Sequence, residues 1–116
     1  LICAKTGDKV FIPSGYGHIT INPSHRVLMM ANWVAREFKS VYEPIRRKKG
    51  GAYYELEEDG ESRWIPNLNY RKLPPLEVGN TIENKEFSFR FAGPLYRVLD
   101  EDRQLLDVLV KPRLFH

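Results

Sequence analysis

Residues 7–22 constrain the fold of this chain more than any other stretch. Within it, residues 9–13 and 18–22 are rich in β-branched and aromatic side chains, which favours two short strands. The four residues between them, 14–17, include two glycines that tolerate the positive φ angles of a tight reversal. The sequence therefore predicts a β-hairpin with a glycine-rich turn.

Side chains alternate along the second predicted strand of this hairpin. Ile19 and Ile21 point to one side, and His18, Thr20 and Asn22 point to the other. The polar side of such a strand either faces solvent or lines the interior cavity of a barrel. A neutral imidazole in a cavity is the commonest protein ligand for a transition metal. His18 is therefore a candidate metal ligand, and the alternative is a structural or surface histidine.

Length and composition predict one small globular domain. The chain has 116 residues, 42% of them hydrophobic, and a formal net charge of +3. Four basic residues form the run 46–49, which is either a solvated loop or an attractive surface for an anionic, phosphorylated substrate. No aromatic residues interleave with this run, so nucleic acid is not an expected partner.

The cysteine count and the apolar runs indicate a cellular compartment. Cys3 is the single cysteine, so an internal disulfide is excluded. The sequence contains no signal peptide and no long apolar run, which predicts a cytoplasmic protein that does not bind membranes. The chain begins with Leu1 inside an apolar, strand-like run, so we expect it to be the C-terminal part of a longer polypeptide.

Further strands are predicted along the chain. Residues 26–34 are apolar on both alternating faces, which predicts a strand buried on both sides with its two methionines in the core. Residues 35–51 have weak periodicity and predict a long connection with one short turn of helix. Residues 52–57 predict another strand, Asp59-Gly60 a hairpin turn, and residues 63–65 the start of the returning strand.

The spacing of Gly7, Pro13, Gly15, His18 and Asn22 resembles the second signature motif of the cupin superfamily. Later segments narrow the resemblance to the cupin-type glucose-6-phosphate isomerases of archaea and some bacteria. These segments are residues 31–34 (ANWV), 42–45 (YEPI), 50–55 (GGAYYE) and 64–67 (WIPN). The likeness covers about residues 5–76.

This resemblance implies a metal-dependent aldose–ketose isomerase that interconverts glucose 6-phosphate and fructose 6-phosphate. In the family, three histidines and one glutamate hold a divalent metal ion, and the sequence leaves Fe, Mn, Ni and Zn open. Only His18 carries over as a metal ligand, because the His-x-His pair of the first cupin motif is absent and the other histidines are His25 and His116. Catalytic residues are unassigned, and both a hydride shift and proton transfer through a cis-enediol stay open.

The resemblance also implies residues that line the sugar-phosphate site. Tyr42 matches a tyrosine of that site, where a phenol can donate to a phosphate oxygen; the alternative is an exposed loop aromatic. Ser40 stands where family members have a histidine, and its hydroxyl is also a donor. Trp33 stands where they have a tyrosine. Tyr53 and Tyr54 alternate faces on their strand, and we assign Tyr54 to the substrate pocket.

The last forty residues differ in character from the rest. Residues 86–91 alternate phenylalanine with polar residues, which predicts a half-buried strand or an extended arm. Apolar residues at helical intervals over 95–109 predict two short helices, with Asp100 as the N-cap between them and Pro112 ending the second. We expect this apolar stripe to pack against a barrel or a partner chain.

The predicted fold class is all-β, a cupin barrel (double-stranded β-helix or jelly roll) present as its C-terminal half, with short C-terminal helices. Residues 1–76 are the predicted C-terminal part of the barrel, and residues 77–116 a C-terminal extension with an extended arm and two short helices. Strands separated from a barrel have unpaired edges that an absent segment or another chain has to cover. We therefore expect a homodimer.

Two alternatives stay open. The first is a different metal cupin enzyme, such as another sugar-phosphate isomerase or a dioxygenase. The second is a non-catalytic cupin that binds a sugar or serves as an interaction module. A full-length protein without the two further histidines and the glutamate would favour the second alternative.

Overall fold

Two small sheets and a series of short helices make up the computed structural model, which describes residues 1–83 and 85–111. In chain order the elements are β1 (Ile2–Cys3), α1 (Glu43–Arg47), β2 (Tyr53–Glu58), β3 (Glu61–Pro66), β4 (Gly79–Asn80), α2 (Val98–Glu101) and α3 (Asp107–Val110). Single 3₁₀ turns lie at Lys85–Phe87, Leu95–Arg97 and Arg103–Leu106.

The strands β2 and β3 form the antiparallel hairpin that the sequence predicts. Their register pairs Tyr53 with Pro66 and Glu58 with Glu61. Asp59-Gly60 makes the turn, with φ values of +53° and +80°. A two-residue type I′ turn requires positive φ at both positions, which Asp and Gly tolerate. The predicted hairpin and its turn are confirmed.

The strands β1 and β4 pair in parallel and bring the C-terminal extension back to the start of the chain. Ile2 lies opposite Gly79 and Cys3 opposite Asn80. The terminal amine of Leu1 donates to the Glu77 carbonyl at 2.7 Å. The extension therefore lies alongside the first residues of the chain.

Residues 9–13 and 18–22 do not pair with each other, so the predicted hairpin around residues 14–17 is wrong. Val10 instead forms an antiparallel bridge with Ser88 of the extension. The first arm therefore bonds to a segment of the extension and not to the second arm.

Residues 26–34 form no strand and, apart from half-buried Trp33, are exposed, contrary to prediction. The exposed fractions of Val27 and Met29 are 94% and 90%. With the described residues, the backbone of 27–34 makes no backbone–backbone hydrogen bonds. Burial of a strand depends on elements that cover its faces, and no described element covers these.

The helices of the extension confirm the predicted pair, with one correction. The first spans the turn Leu95–Arg97 and α2, and the second spans the turn Arg103–Leu106 and α3. Each helix contributes one buried valine, Val98 in α2 (0% exposed) and Val108 in α3 (8% exposed). Asp100 lies inside α2, and Asp102 precedes the second helix without a capping hydrogen bond, so the assignment of Asp100 as N-cap is wrong. Pro112 lies outside the described residues.

The chain is more open than a compact domain of its size. Its radius of gyration is 16.0 Å, whereas a compact chain of this length has about 13 Å. Its accessible surface of 10450 Å² compares with roughly 6,600 Å² for a compact monomer of this mass. Among the described residues, no helix is long and apolar enough to span a membrane. The predicted barrel, homodimer and domain boundaries stay predictions.

Candidate functional site around His18

The turn that precedes His18 is held at its base. The Tyr16 N–H donates to the Pro13 carbonyl at 3.3 Å, and Gly15 has a φ of +86°. A positive φ of this size favours glycine, because a Cβ would crowd the backbone. Pro13 is buried, whereas His18 is exposed. The sequence therefore places the reversal correctly although its arms are not paired with each other.

The two neighbours of His18 contact α1 and the residues that follow it. A Cβ placed on Gly17 would lie 3.9 Å from Cδ1 of Ile45, which belongs to α1. Cδ1 of Ile19 lies 2.9 Å from the position of a Cβ on Gly51. The segment with His18 therefore packs against the end of α1 even though the imidazole itself reaches solvent.

The Gly50-Gly51 pair allows two side chains to approach the backbone closely. Gly50 has a φ of +129°, and a Cβ there would lie 2.9 Å from Cε1 of Tyr54. The Tyr54 hydroxyl donates to the Lys49 carbonyl at 2.8 Å. Tyr54 of β2 thus packs against Gly50, and Ile19 packs against Gly51.

Asn67 joins the end of α1 to the end of the β2–β3 hairpin. Its Nδ2 donates to the carbonyls of Lys48 and Gly51, both at 2.8 Å. Its Oδ1 accepts from the Asn69 N–H and from Asn69 Nδ2, both at 3.0 Å. The side chain is 1% exposed and has every donor and acceptor function engaged, which is the usual condition of a buried amide.

The basic run 46–49 divides into engaged and free cations. Arg47 Nε pairs with Glu43 at 2.8 Å on the surface of α1. Lys48 donates to the Asn69 carbonyl at 2.7 Å and lies 5.6 Å from the ring centroid of Tyr70. Arg46 and Lys49 are exposed and form no ion pair with the described residues. Two of the four cations are therefore engaged by partners, although the Arg47 side chain is itself 77% exposed, and the other two face solvent.

The predicted substrate-site residues are distributed around this packed unit. Tyr42 is the residue before α1 and is 67% exposed. Ser40 is exposed two residues earlier. Tyr54 packs on Gly50, with its hydroxyl proton directed to Lys49. Trp33 is half-buried, and its Nε1 donates to the Leu95 carbonyl at 2.9 Å. Tyr42 thus lies at the start of α1, and Tyr54 packs on the residues that follow its end. The indole N–H of Trp33 is bonded to the extension instead.

The donors present do not by themselves form a metal site. Across residues 1–83 and 85–111, no three His, Cys, Asp or Glu side chains converge on one point. Tetrahedral or octahedral metal sites need at least three protein donors when they are stable. His18 therefore fits a metal only as one member of a larger set.

A surface groove of about 340 Å³ lies beside the first glycine of the motif and not beside His18. Gly7 and Lys9 line the groove together with Thr81, Ser88, Arg90 and Phe91 of the extension. The groove marks the junction between the motif and the extension.

Sequence reasoning missed the roles of Asn67 and Glu86. Asn67 was part of a matching segment, but nothing in the sequence indicates that its amide bonds to carbonyls 16 and 19 residues earlier. Glu86 accepts a hydrogen bond from the Tyr16 hydroxyl at 2.6 Å across 70 residues. Both contacts are non-local, so residue spacing carries no signal for them.

Comparison with known proteins gives one match. Nothing among the curated proteins or the solved structures matches the chain. The model of one protein family, described as Glucose-6-phosphate isomerase (GPI), matches residues 1–72. These residues contain the His18 turn, α1, the Gly50-Gly51 pair and the β2–β3 hairpin. Since they make up more than half of the 116 residues, the chain belongs to the glucose-6-phosphate isomerase family.

Proposed function

We propose that the full-length protein with this sequence is a cupin-type glucose-6-phosphate isomerase that requires a divalent metal ion. One observation carries the proposal: Gly17 and Ile19 pack against Ile45 and Gly51. These contacts bring the segment with His18 next to the helix that starts after Tyr42. A candidate metal ligand and a candidate phosphate-binding residue therefore belong to one packed unit.

His18 is the proposed metal ligand of this chain. Its imidazole is exposed and is free of hydrogen bonds to the described residues, so its ring nitrogens are available. The family resemblance implies two more histidines and a glutamate, which would come from residues beyond those described. When bound, the metal would polarise the oxygens on C1 and C2 of the sugar.

Tyr42 and Arg46 are the proposed phosphate-binding pair. The Arg46 N–H donates to the Tyr42 carbonyl at 3.0 Å, which is a helical i,i+4 relationship. Residues four apart lie on the same face of a helix. Both side chains are exposed, so a phenol donor and a guanidinium donor are available together. Ser40 supplies a hydroxyl two residues earlier. Arginine and phenol donors suit the oxygens of a sugar phosphate.

The experiment that tests this function is an isomerase assay on the full-length protein. The protein is stripped with a chelator, reloaded separately with Fe²⁺, Mn²⁺, Ni²⁺ or Zn²⁺, and supplied with fructose 6-phosphate. We expect glucose 6-phosphate to form only with metal. His18→Ala should lower bound metal and lower kcat/KM by at least about a hundredfold. His25→Ala is the matched control, because His25 is also exposed but lies in a turn outside the motif.

Two outcomes would overturn the proposal. A metal-loaded wild-type protein that leaves fructose 6-phosphate unchanged would refute isomerase activity; other sugar phosphates would then test a different cupin isomerase. Full activity in His18→Ala would refute its role as a ligand.

A second candidate is a non-catalytic cupin that binds a sugar phosphate. The observation in its favour is that, within the described residues, His18 belongs to no group of three or more side chains that could hold a metal ion. Calorimetry would then detect fructose 6-phosphate binding by the full-length protein without metal, and the assay would detect no turnover.

We also propose that the full-length protein is a homodimer. The accessible surface is more than half as large again as that of a compact monomer, and the apolar run 27–34 contributes to this excess. Contiguous exposed apolar stretches of this kind mark surfaces that another chain covers. Analytical ultracentrifugation of the full-length protein tests the proposal, and a monomer at micromolar concentration would refute it.

A further inference from the structure

A short segment of the extension contacts the first arm of the motif through the backbone. We name this segment, the turn Lys85–Phe87 together with Ser88, the 85–88 clamp. The Phe11 N–H donates to the Phe87 carbonyl at 2.8 Å, and Val10 forms a bridge with Ser88. The clamp thus replaces the strand partner that the sequence predicted for this arm.

The same clamp holds the turn of the motif through side chains. The Tyr16 hydroxyl donates to Glu86 Oε1 at 2.6 Å. The ring of Tyr16 also packs edge-to-face on Phe87, with centroids 5.4 Å apart and planes at 85°. Edge-to-face packing and a charge-assisted hydrogen bond both depend on orientation. Two directional contacts therefore hold the Tyr16 side chain, which is 48% exposed.

Fixing Tyr16 restricts the direction in which the chain leaves the turn. Tyr16 is followed by Gly17 and then by His18. Gly17 adds no side chain of its own to hold this position, although a Cβ there would lie 3.9 Å from Cδ1 of Ile45. The chain around His18 is thus held on one side by Ile19 against Gly51 and on the other side by Tyr16 against the clamp.

The clamp lies outside the residues that match the family. The match ends at residue 72, and the clamp begins at Lys85. The family match therefore does not cover Glu86 or Phe87.

We propose that Glu86 and Phe87 are positioning residues for the isomerase reaction, acting through Tyr16 on the orientation of His18. This inference rests on the proposed function. Neither residue touches substrate in this scheme. The extension then has a functional role in addition to packing.

The kinetic test uses the full-length, metal-loaded protein. Glu86→Ala and Tyr16→Phe should each lower kcat about fivefold, the equivalent of one ordinary hydrogen bond, with KM changed less. The double variant should be no worse than either single variant, because both remove the same bond. Glu86→Gln should recover part of the loss, since its amide oxygen still accepts. Glu83→Ala is the control: an exposed carboxylate of the same extension whose side chain makes no hydrogen bond with the described residues.

A second measurement follows His18 itself and does not depend on turnover. The imidazole C–H signals are recorded by NMR on the metal-free protein and assigned with His18→Ala. In Glu86→Ala and Phe87→Ala the His18 signal should shift or broaden, whereas the His25 signal and the Glu83→Ala spectrum should not change. The signals of the β2–β3 hairpin serve as a check that the variants are folded.

The outcomes separate the two proposals. An unchanged His18 signal in both clamp variants, or additive losses in the double variant, would overturn the positioning role. An inactive wild type with a His18 signal that responds to Glu86→Ala would refute the isomerase function while retaining the structural coupling of clamp and turn.

Discussion

Cδ1 of Ile19 lies against Gly51, 2.9 Å from the place that a Cβ on residue 51 would occupy. This contact joins the segment of the candidate metal ligand to the residues that follow α1. Both positions 50 and 51 are glycines because a side chain packs closely against each: Ile19 against Gly51 and Tyr54 against Gly50.

The two glycines are expected to differ in their tolerance of substitution. Gly50→Ala should lower the free energy of unfolding by about 1–3 kcal/mol, because its φ of +129° belongs to a region that side chains avoid. Gly51→Ala should cost less than about 1 kcal/mol, since Ile19 is 50% exposed and its terminal methyl group can move. Denaturant unfolding of the full-length protein measures both. Gly79→Ala, with no neighbour within 4 Å, is the control, and equal costs for Gly50→Ala and Gly51→Ala would contradict this explanation.

Asn67 should be the most sensitive polar residue of the unit. Asn67→Ala removes two donors: the Gly51 carbonyl loses the bond that Asn67 donates, and the Lys48 carbonyl keeps only Asn69 Nδ2 at 3.2 Å. The expected loss is roughly 2–3 kcal/mol of unfolding free energy. Asn67→Asp should also be destabilised at neutral pH, because a carboxylate would face two carbonyl oxygens. Asn32→Ala, at an exposed position, is the control for removing an amide. An equal decrease in unfolding free energy in this variant would contradict the role of the Asn67 hydrogen bonds.

Tyr16 should titrate abnormally at alkaline pH. The hydrogen bond that Glu86 accepts raises the pKa of Tyr16 above its ordinary value, with smaller contributions from desolvation and from the negative charge of Glu86. The folded state therefore favours the neutral phenol, and its contribution to stability is present below the ordinary tyrosine pKa and is lost as pH rises through the raised pKa. Ultraviolet titration of phenolate, with Tyr16→Phe subtracted, measures this pKa. Glu86→Ala should lower it toward the ordinary value, and no change would contradict the assignment.

Arg46 and Arg47 form a matched pair for testing the phosphate-binding surface. Arg46→Gln should raise KM for fructose 6-phosphate about tenfold with a smaller change in kcat, as expected for loss of ground-state binding. Arg47→Gln makes the same charge change, but the Arg47 guanidinium is held by Glu43 at 2.8 Å. We therefore expect Arg47→Gln to have little effect on KM. Equal increases in KM would indicate a general charge effect and not a site at Arg46.

Local signals in the sequence predicted the local parts of this structure. The β2–β3 hairpin was predictable because Asp59-Gly60 favours the required turn and the flanking residues favour strands. The helices of the extension followed from apolar residues at helical intervals. The N-cap was misplaced by two residues, at Asp100 instead of Asp102, since boundaries depend on weak local preferences.

Contacts between distant residues were not predictable in the same way. The bridge from Val10 to Ser88 joins positions more than seventy residues apart. The hydrogen bond from Tyr16 to Glu86 spans 70 residues. Residue spacing identified His18, but it gave no indication that the extension would hold the turn before it. Burial of residues 26–34 was likewise inferred from apolarity alone, whereas burial also requires a covering element.

The open apolar run has a consequence for self-association. Residues 27–34 contain no charge, proline or glycine, and their backbone groups are not paired within the described part of the chain. Such windows are prone to cross-β stacking when they are exposed. Arg26 and Arg36 bracket the run and act as gatekeepers, because stacking in register would place like charges above one another. Replacing these two arginines with neutral residues would therefore accelerate fibril formation by this polypeptide.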